Sequence, residues 1–140
     1  MPTGLPELKR RLVDEIPNAV RVGLETAMLE SANLIVAGAK LRAPVGETGD
    51  LQASIRQHGV KVGKFGGLYV AVTAGDETTE KDGYQVARLV EFGTHKDGET
   101  HTPAQPFLLP AFRANRRRAK SAMRRAIRDA IIHLSTRKQV

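Results

Sequence analysis

Four side chains that ligate divalent metals, His95, Asp97, Glu99 and His101, recur at every second position of one stretch. On an extended segment that spacing turns two imidazoles and two carboxylates to one side, a donor set that suits zinc or another divalent cation. Gly98 and the intervening Lys96, Thr100 and Thr102 favour a solvated loop instead, so no metal and no other cofactor is expected. Hydrolytic chemistry has less behind it. Ser31, Ser54, Ser121 and Ser135 lack a nucleophile-elbow context, His58 and His133 fall in strand and helix patterns with no evident partner, and there is no Cys. Glu91 can be read as a buried general base, but a carboxylate that caps or pairs across a subunit contact is the better reading. The loop from Gly46 to Gly49 lacks the Lys and Ser/Thr that close a phosphate-cradling P-loop. The residues describe no active site, and the chain is read as a non-enzyme.

The elements that must position these groups follow from apolar periodicity and from Pro and Gly. Leu5 to Ile16 predicts a short helix that Pro17 interrupts, after which Asn18 caps a longer helix to about Leu41. Val20, Leu24, Ala27, Met28, Ser31, Ile35 and Ala39 make one stripe on it, widened by Val22, Leu29, Ala32 and Val36, wide enough to need more than one neighbour. Pro44 disfavours helical geometry at Ala43, so the helix should stop near Arg42 and Val45 to Asp50 should form a loop, with Thr48 capping a short turn. Ser54 to Val62 reads as a strand, Lys64 to Gly67 as a glycine turn, and Leu68 to Ala74 as a second strand with Leu68, Val70 and Val72 on one face. Gly75 to Gly83 reads as a polar loop, Tyr84 to Phe92 as a short helix ended by Gly93, and Thr94 to Thr102 as another polar loop. Pro103 and Pro106 stiffen an extended approach that presents Phe107 to a core or to a neighbour, core packing being the favoured reading. The expectation is one α+β domain over residues 1–140: an arm or short helix (1–17), a long helix (18–42), an antiparallel hairpin (54–74), a short helix (84–92) and a basic helix (110–136), the long helices packed on the small sheet.

Charge is concentrated at one end. Residues 111–140 hold ten of the 22 Lys and Arg residues against a single acid, Asp129, a formal +9, whereas residues 1–110 hold twelve bases against fourteen acids, a formal −2. On a helical wheel Phe112, Ala119, Met123, Ala126, Ile127, Ala130 and Leu134 share one arc, and Arg117, Lys120, Arg124, Arg125 and Arg128 fall mostly on the opposite one. That basic face is a solvated surface, a phosphate-binding surface or the docking face for an acidic protein. There is no Trp, and Asn115 is the segment's only amide before Gln139, so base stacking or edge reading has little to work with. The absence of Cys, of a signal-peptide apolar stretch and of a membrane-length apolar run leads to an expectation of a soluble protein with no membrane partner.

Three motifs recur in a recognisable order. Arg42-Ala43-Pro44-Val45 precedes Thr48-Gly49-Asp50-Leu51-Gln52-Ala53-Ser54-Ile55; Leu89-Val90-Glu91-Phe92-Gly93-Thr94 follows; Pro103-Ala104-Gln105-Pro106-Phe107-Leu108-Leu109-Pro110-Ala111 comes third. Set between a long helix and a basic one, they resemble the gene product 10 family of Hong Kong 97-like tailed phages, small tail-component or neck proteins, over roughly residues 18 to 135. The resemblance implies a structural virion protein of the neck or head-proximal tail, assembled in the bacterial host cytoplasm. It implies a homo-oligomeric ring, expected to be sixfold, around the channel through which DNA passes without sequence recognition. Its neighbours would be head-closure or connector, tail-terminator and tail-tube proteins. By family analogy Thr48, Gly49, Leu51, Ser54, Glu91, Phe92, Gly93, Pro103, Gln105, Pro106 and Phe107 carry the fold and the subunit contacts. Two departures stand out: the stretch from His95 to Thr102 is longer than the family's link, and Leu109 occupies a position where a basic residue is common. The alternative is a nucleic-acid-binding module that lays its C-terminal helix along phosphates without reading sequence.

Overall fold

The computed structural model describes residues 4–96 and 98–136. Two long helices form its spine. Helix α1 (Leu5–Arg10) runs through a π-helical turn (Arg11–Glu15) directly into α2 (Ile16–Arg42), without the break expected at Pro17 and without an Asn18 cap. The π turn explains the difference. Its wider ring, closed by the Ile16 N–H donating to the Arg11 carbonyl, shifts the hydrogen-bond register just where Pro17 has no N–H to give, so the helix survives the proline. At the other end α2 stops at Arg42, with Ala43 extended before Pro44.

Helix α5 (Leu108–Thr136) lies antiparallel to α2: Gly38 rests against Ala111 and Asn115, and Gly23 against Ala126. Small residues at both crossings permit close approach of the two backbones. Farther along, the Arg11 guanidinium reaches the Leu134 carbonyl at 3.4 Å and ties the π turn to the end of α5.

Between the long helices the chain builds three two-stranded antiparallel sheets, where the sequence predicted one. Strands β1 (Arg56–Val62) and β2 (Leu68–Thr73) pair across the Lys64–Gly67 turn and pack on α2. Leu68, Val70 and Val72 are half-buried and Tyr69 and Thr73 are exposed, as the alternation predicts, but Ala71 on the second face is half-buried too. Ser54 is not in the strand; it closes the short helix α3 (Asp50–Ser54), whose N-cap is Gly49 in the left-handed region at φ +69°, so Thr48 does not cap. A 3₁₀ turn (Glu77–Thr79) and strand β3 (Glu80–Lys81) occupy the expected polar loop, and β4 (Tyr84–Gln85) takes the first two residues of the expected helix, so that α4 starts at Val86 (Val86–Phe92). Strands β5 (Thr94–Lys96) and β6 (Glu99–Thr102) make a third hairpin where a second loop was expected.

The core sits where the C-terminal end of α2, α3, α4 and the start of α5 converge, and joins Ile35, Ala39, Leu51, Ile55, Ala87 and Phe107. Six of the ten buried hydrophobic residues are alanine, and Phe107 and Ile55 are the largest fully buried apolar side chains. An apolar groove of about 380 Å³, bordered by Met28, Ile35, Val70, Leu108, Phe112 and Met123, remains open between α2, β2 and α5.

Candidate functional site

Glu91 carries the most connected side chain of the three motifs. It lies in α4, is only 7 % exposed, and its carboxylate faces the first turn of α5. Oε2 accepts the backbone N–H groups of Phe107 at 2.8 Å and Leu108 at 3.0 Å, and Oε1 accepts that of Leu109 at 2.9 Å. A helix start leaves its first N–H groups unpaired, and Pro106-Phe107 offers no Ser, Thr, Asp or Asn to cap them. Glu91 therefore supplies from another element the cap that the local sequence lacks, with its negative charge at the positive end of the helix dipole. The expectation for Glu91 was a cap or a pair across a subunit contact; the bonds it makes are a cap within the same chain, 16 to 18 residues on.

Two further contacts lock this junction. The Gln105 N–H donates to the Val90 carbonyl at 2.8 Å. Gly93 ends α4 at φ +72° and packs so closely that a Cβ there would sit 2.7 Å from the Thr102 carbonyl oxygen and 2.8 Å from the Ala104 nitrogen. Only glycine fits, for conformation and for space. The first motif joins through the core: Leu51 and Ile55 belong to the same cluster as Phe107, which is 1 % exposed, and the Ser54 hydroxyl donates to the Leu51 carbonyl while accepting the Gly75 N–H.

The sequence matches the HK97-gp10-like family of bacteriophage tail components over residues 7–93. The chain belongs to this family. No curated protein and no solved structure matches it. The match ends at Gly93, so the third motif and the basic helix of this gp10-like protein lie beyond it. The Glu91, Val90 and Gly93 contacts nevertheless make residues 103–109 structurally inseparable from the matched part. As a gp10-like tail component the protein is a structural part of a bacteriophage virion.

The motif residues divide by position. Leu51, Ser54, Glu91 and Phe107 are buried and hold the fold, whereas Thr48, Phe92, Pro103, Gln105 and Pro106 are exposed, Phe92 by 59 %. On α5 the basic residues Arg117, Lys120, Arg124, Arg125 and Arg128 are all exposed, and the helix's one ion pair among the described residues is Arg128 with Asp129 at 3.7 Å.

The histidine-rich stretch is folded back on itself, so its alternation does not run along one strand. His95 pairs with Thr100 across the β5–β6 turn, with Gly98 at φ +81°. Asp97 lies outside the described residues, and among those described no three His, Cys, Asp or Glu residues converge to hold a metal. His58 has a partner the sequence did not reveal, the Thr73 hydroxyl at 2.7 Å on the neighbouring strand, and no described serine bonds a histidine. Gly49 leads into a helix of five residues, and the loop before it borders a shallow cleft with Thr78 and Thr79. The sequence also gave no sign that Thr79 would be buried, nor that Arg56 would pair with Asp76 at 3.0 Å.

Proposed function

We propose that this gp10-like protein is a neck or tail-completion component that closes as a homo-oligomeric ring, expected to be sixfold, around the DNA channel. Head-closure or connector, tail-terminator and tail-tube proteins are its expected neighbours, and DNA passes without being read. One observation carries the reading: among the described residues the protomer exposes more large apolar side chains than the four it buries, Ile35, Leu51, Ile55 and Phe107. Seventeen large hydrophobic residues are exposed among the described residues, from Leu5 and Leu8 at the N-terminal end to Phe65, 96 % exposed at the β1–β2 turn, and Phe92 beside the motif junction. A monomer tolerates single exposed apolar residues, but so many around a core made largely of alanine fit a subunit whose burial is completed by neighbours. The open groove between α2, β2 and α5 adds to that surface. The exposed motif residues Thr48, Phe92, Pro103, Gln105 and Pro106 are proposed as subunit contacts.

The experiment is removal of the chain from the phage that carries it, with particles imaged by electron microscopy and their proteins identified by mass spectrometry. Separate filled heads and tails, rejoined when the chain is supplied in trans, are the expected outcome. Normal particles assembled without the chain overturn the reading.

A further inference from the structure

Six cations of α5, Arg113, Arg116, Arg117, Lys120, Arg124 and Arg128, lie within one arc of about 120° at 100° per residue, forming a ridge about 22 Å long at 1.5 Å rise per residue. All six are exposed, and among the described residues none is ion-paired except Arg128, with Asp129 of its own helix. The rest of the chain carries the complementary charge. The segment from Asp76 to Asp82 holds four acids against Lys81, and Glu77, Glu80 and Asp82 are exposed and outside every described ion pair. Asp76 alone is paired, with Arg56. Across a shallow cleft from the 3₁₀ turn, Glu47 of the preceding loop and Asp50, the first residue of α3, add two more acids. Among the described residues no ion pair joins the ridge to this acidic lobe within one protomer.

We infer that the basic ridge of α5 docks on the acidic lobe around Glu77, Glu80 and Asp82 of a second copy of this chain. The contact joins two different surfaces, so it is heterologous: every protomer offers one ridge and one lobe, and repetition closes a ring or continues as a filament. Opposite single-sign patches steer encounter and fix which face meets which, while the exposed apolar residues supply area once the faces meet. The inference rests on the homo-oligomeric reading above and adds its polarity and its contact residues.

The test is sedimentation of the purified chain and two charge-reversed variants, R117E/K120E/R124E and E77K/E80K/D82K. Circular dichroism serves as the check that both are folded. The native chain is expected to sediment as a multiple of the 15.3 kDa protomer at about 50 mM salt and to shift toward monomer at about 500 mM, where screening shortens to a few ångströms. Each variant alone is expected to be monomeric. Mixed one to one they are expected to regain assembly, since each then offers the charge that the other's altered surface needs.

A native chain that stays monomeric at low salt, variants that assemble like the native chain, or a mixture that stays monomeric overturns the inference. So does a chain that gains mass only on addition of duplex DNA, which would make phosphate the ridge's occupant. The particle experiment above is independent of this one: loss of head–tail joining with failed mixing leaves the tail role intact and removes only this contact.

Discussion

Glu91→Gln isolates the cap that links the second and third motifs. The amide keeps side-chain volume and one acceptor oxygen. That oxygen can stay in the Oε2 position and hold Phe107 and Leu108, but an NH₂ then faces the Leu109 N–H, donor against donor. One hydrogen bond is lost at about 1 kcal/mol, and loss of the negative charge at a partly buried helix start removes about 1 kcal/mol more, so about 2 kcal/mol is expected. Glu91→Ala strips all three acceptors. The Phe107 N–H is too deeply buried for water to replace the carboxylate there, while those of Leu108 and Leu109 are partly reachable. About 3 to 4 kcal/mol is expected, a large share of the roughly 5–15 kcal/mol that holds a domain together. Urea unfolding followed by far-ultraviolet circular dichroism measures both, with an unchanged slope confirming that the loss is one of stability. Variants within about 0.5 kcal/mol of the native chain, or an alanine variant no worse than the glutamine one, would refute the capping account.

Phe107→Ala opens a cavity in the core at its largest fully buried side chain and is expected to cost about 3 to 5 kcal/mol in the same urea assay. Gly93→Ala forces a Cβ against the Thr102 carbonyl at a positive φ and is expected to cost about 3 kcal/mol, whereas Gly46→Ala, with nothing within 4 Å, is expected to stay within about 0.5 kcal/mol; thermal melts of the pair check the contrast. Asp76 is held below the usual carboxylate range, first by the Thr78 hydroxyl, against an opposing desolvation, with further lowering from the Thr78 and Thr79 N–H groups and Arg56. Because its folded value is depressed, its contribution is complete above the ordinary Asp value and fades as pH falls below it, so Asp76→Asn is expected to flatten the acid limb of a melting-temperature profile. An identical acid limb in both proteins would remove Asp76 as a source of the dependence.

Elements of six residues or more were legible, and those of five or fewer mostly were not. The basic helix shows in the apolar arc from Phe112 to Leu134, the stop of α2 in Pro44, and the burial of Phe107 in the two prolines before it. Pro17 misled because a proline reads as a break unless the register shifts around it, and a π turn at Arg11–Glu15 has no composition of its own. The hairpins at Glu80–Gln85 and Thr94–Thr102 have strands of two to four residues, too short to show an alternation. The first turns on Asp82-Gly83, with Asp82 at φ +52°, and the second on Gly98; Asp-Gly is itself a signal for a two-residue hairpin, which the reading of these stretches as loops passed over. Glu91 was legible as a capping carboxylate, but not its target. The signal available was negative: the strongest helix in the chain begins after Pro106-Phe107 with no capping residue of its own.

That distant cap fixes the start of α5 independently of the length of chain between the second and third motifs. The Gln105–Val90 hydrogen bond, the Gly93 packing and the three Glu91 bonds clamp both ends of residues 94–102, so the start of α5 is positioned by α4 and not by the chain between them. The residues between form the β5–β6 hairpin, and lengthening it would add loop entropy that grows only logarithmically, about 0.6 kcal/mol for a doubling of length. Length in the hairpin is therefore free to vary while Glu91, Gly93 and Phe107 are not. Phe92, Pro103, Gln105 and Pro106, exposed around the clamp, acquire a rigid base from it, which suits the subunit contact proposed for them.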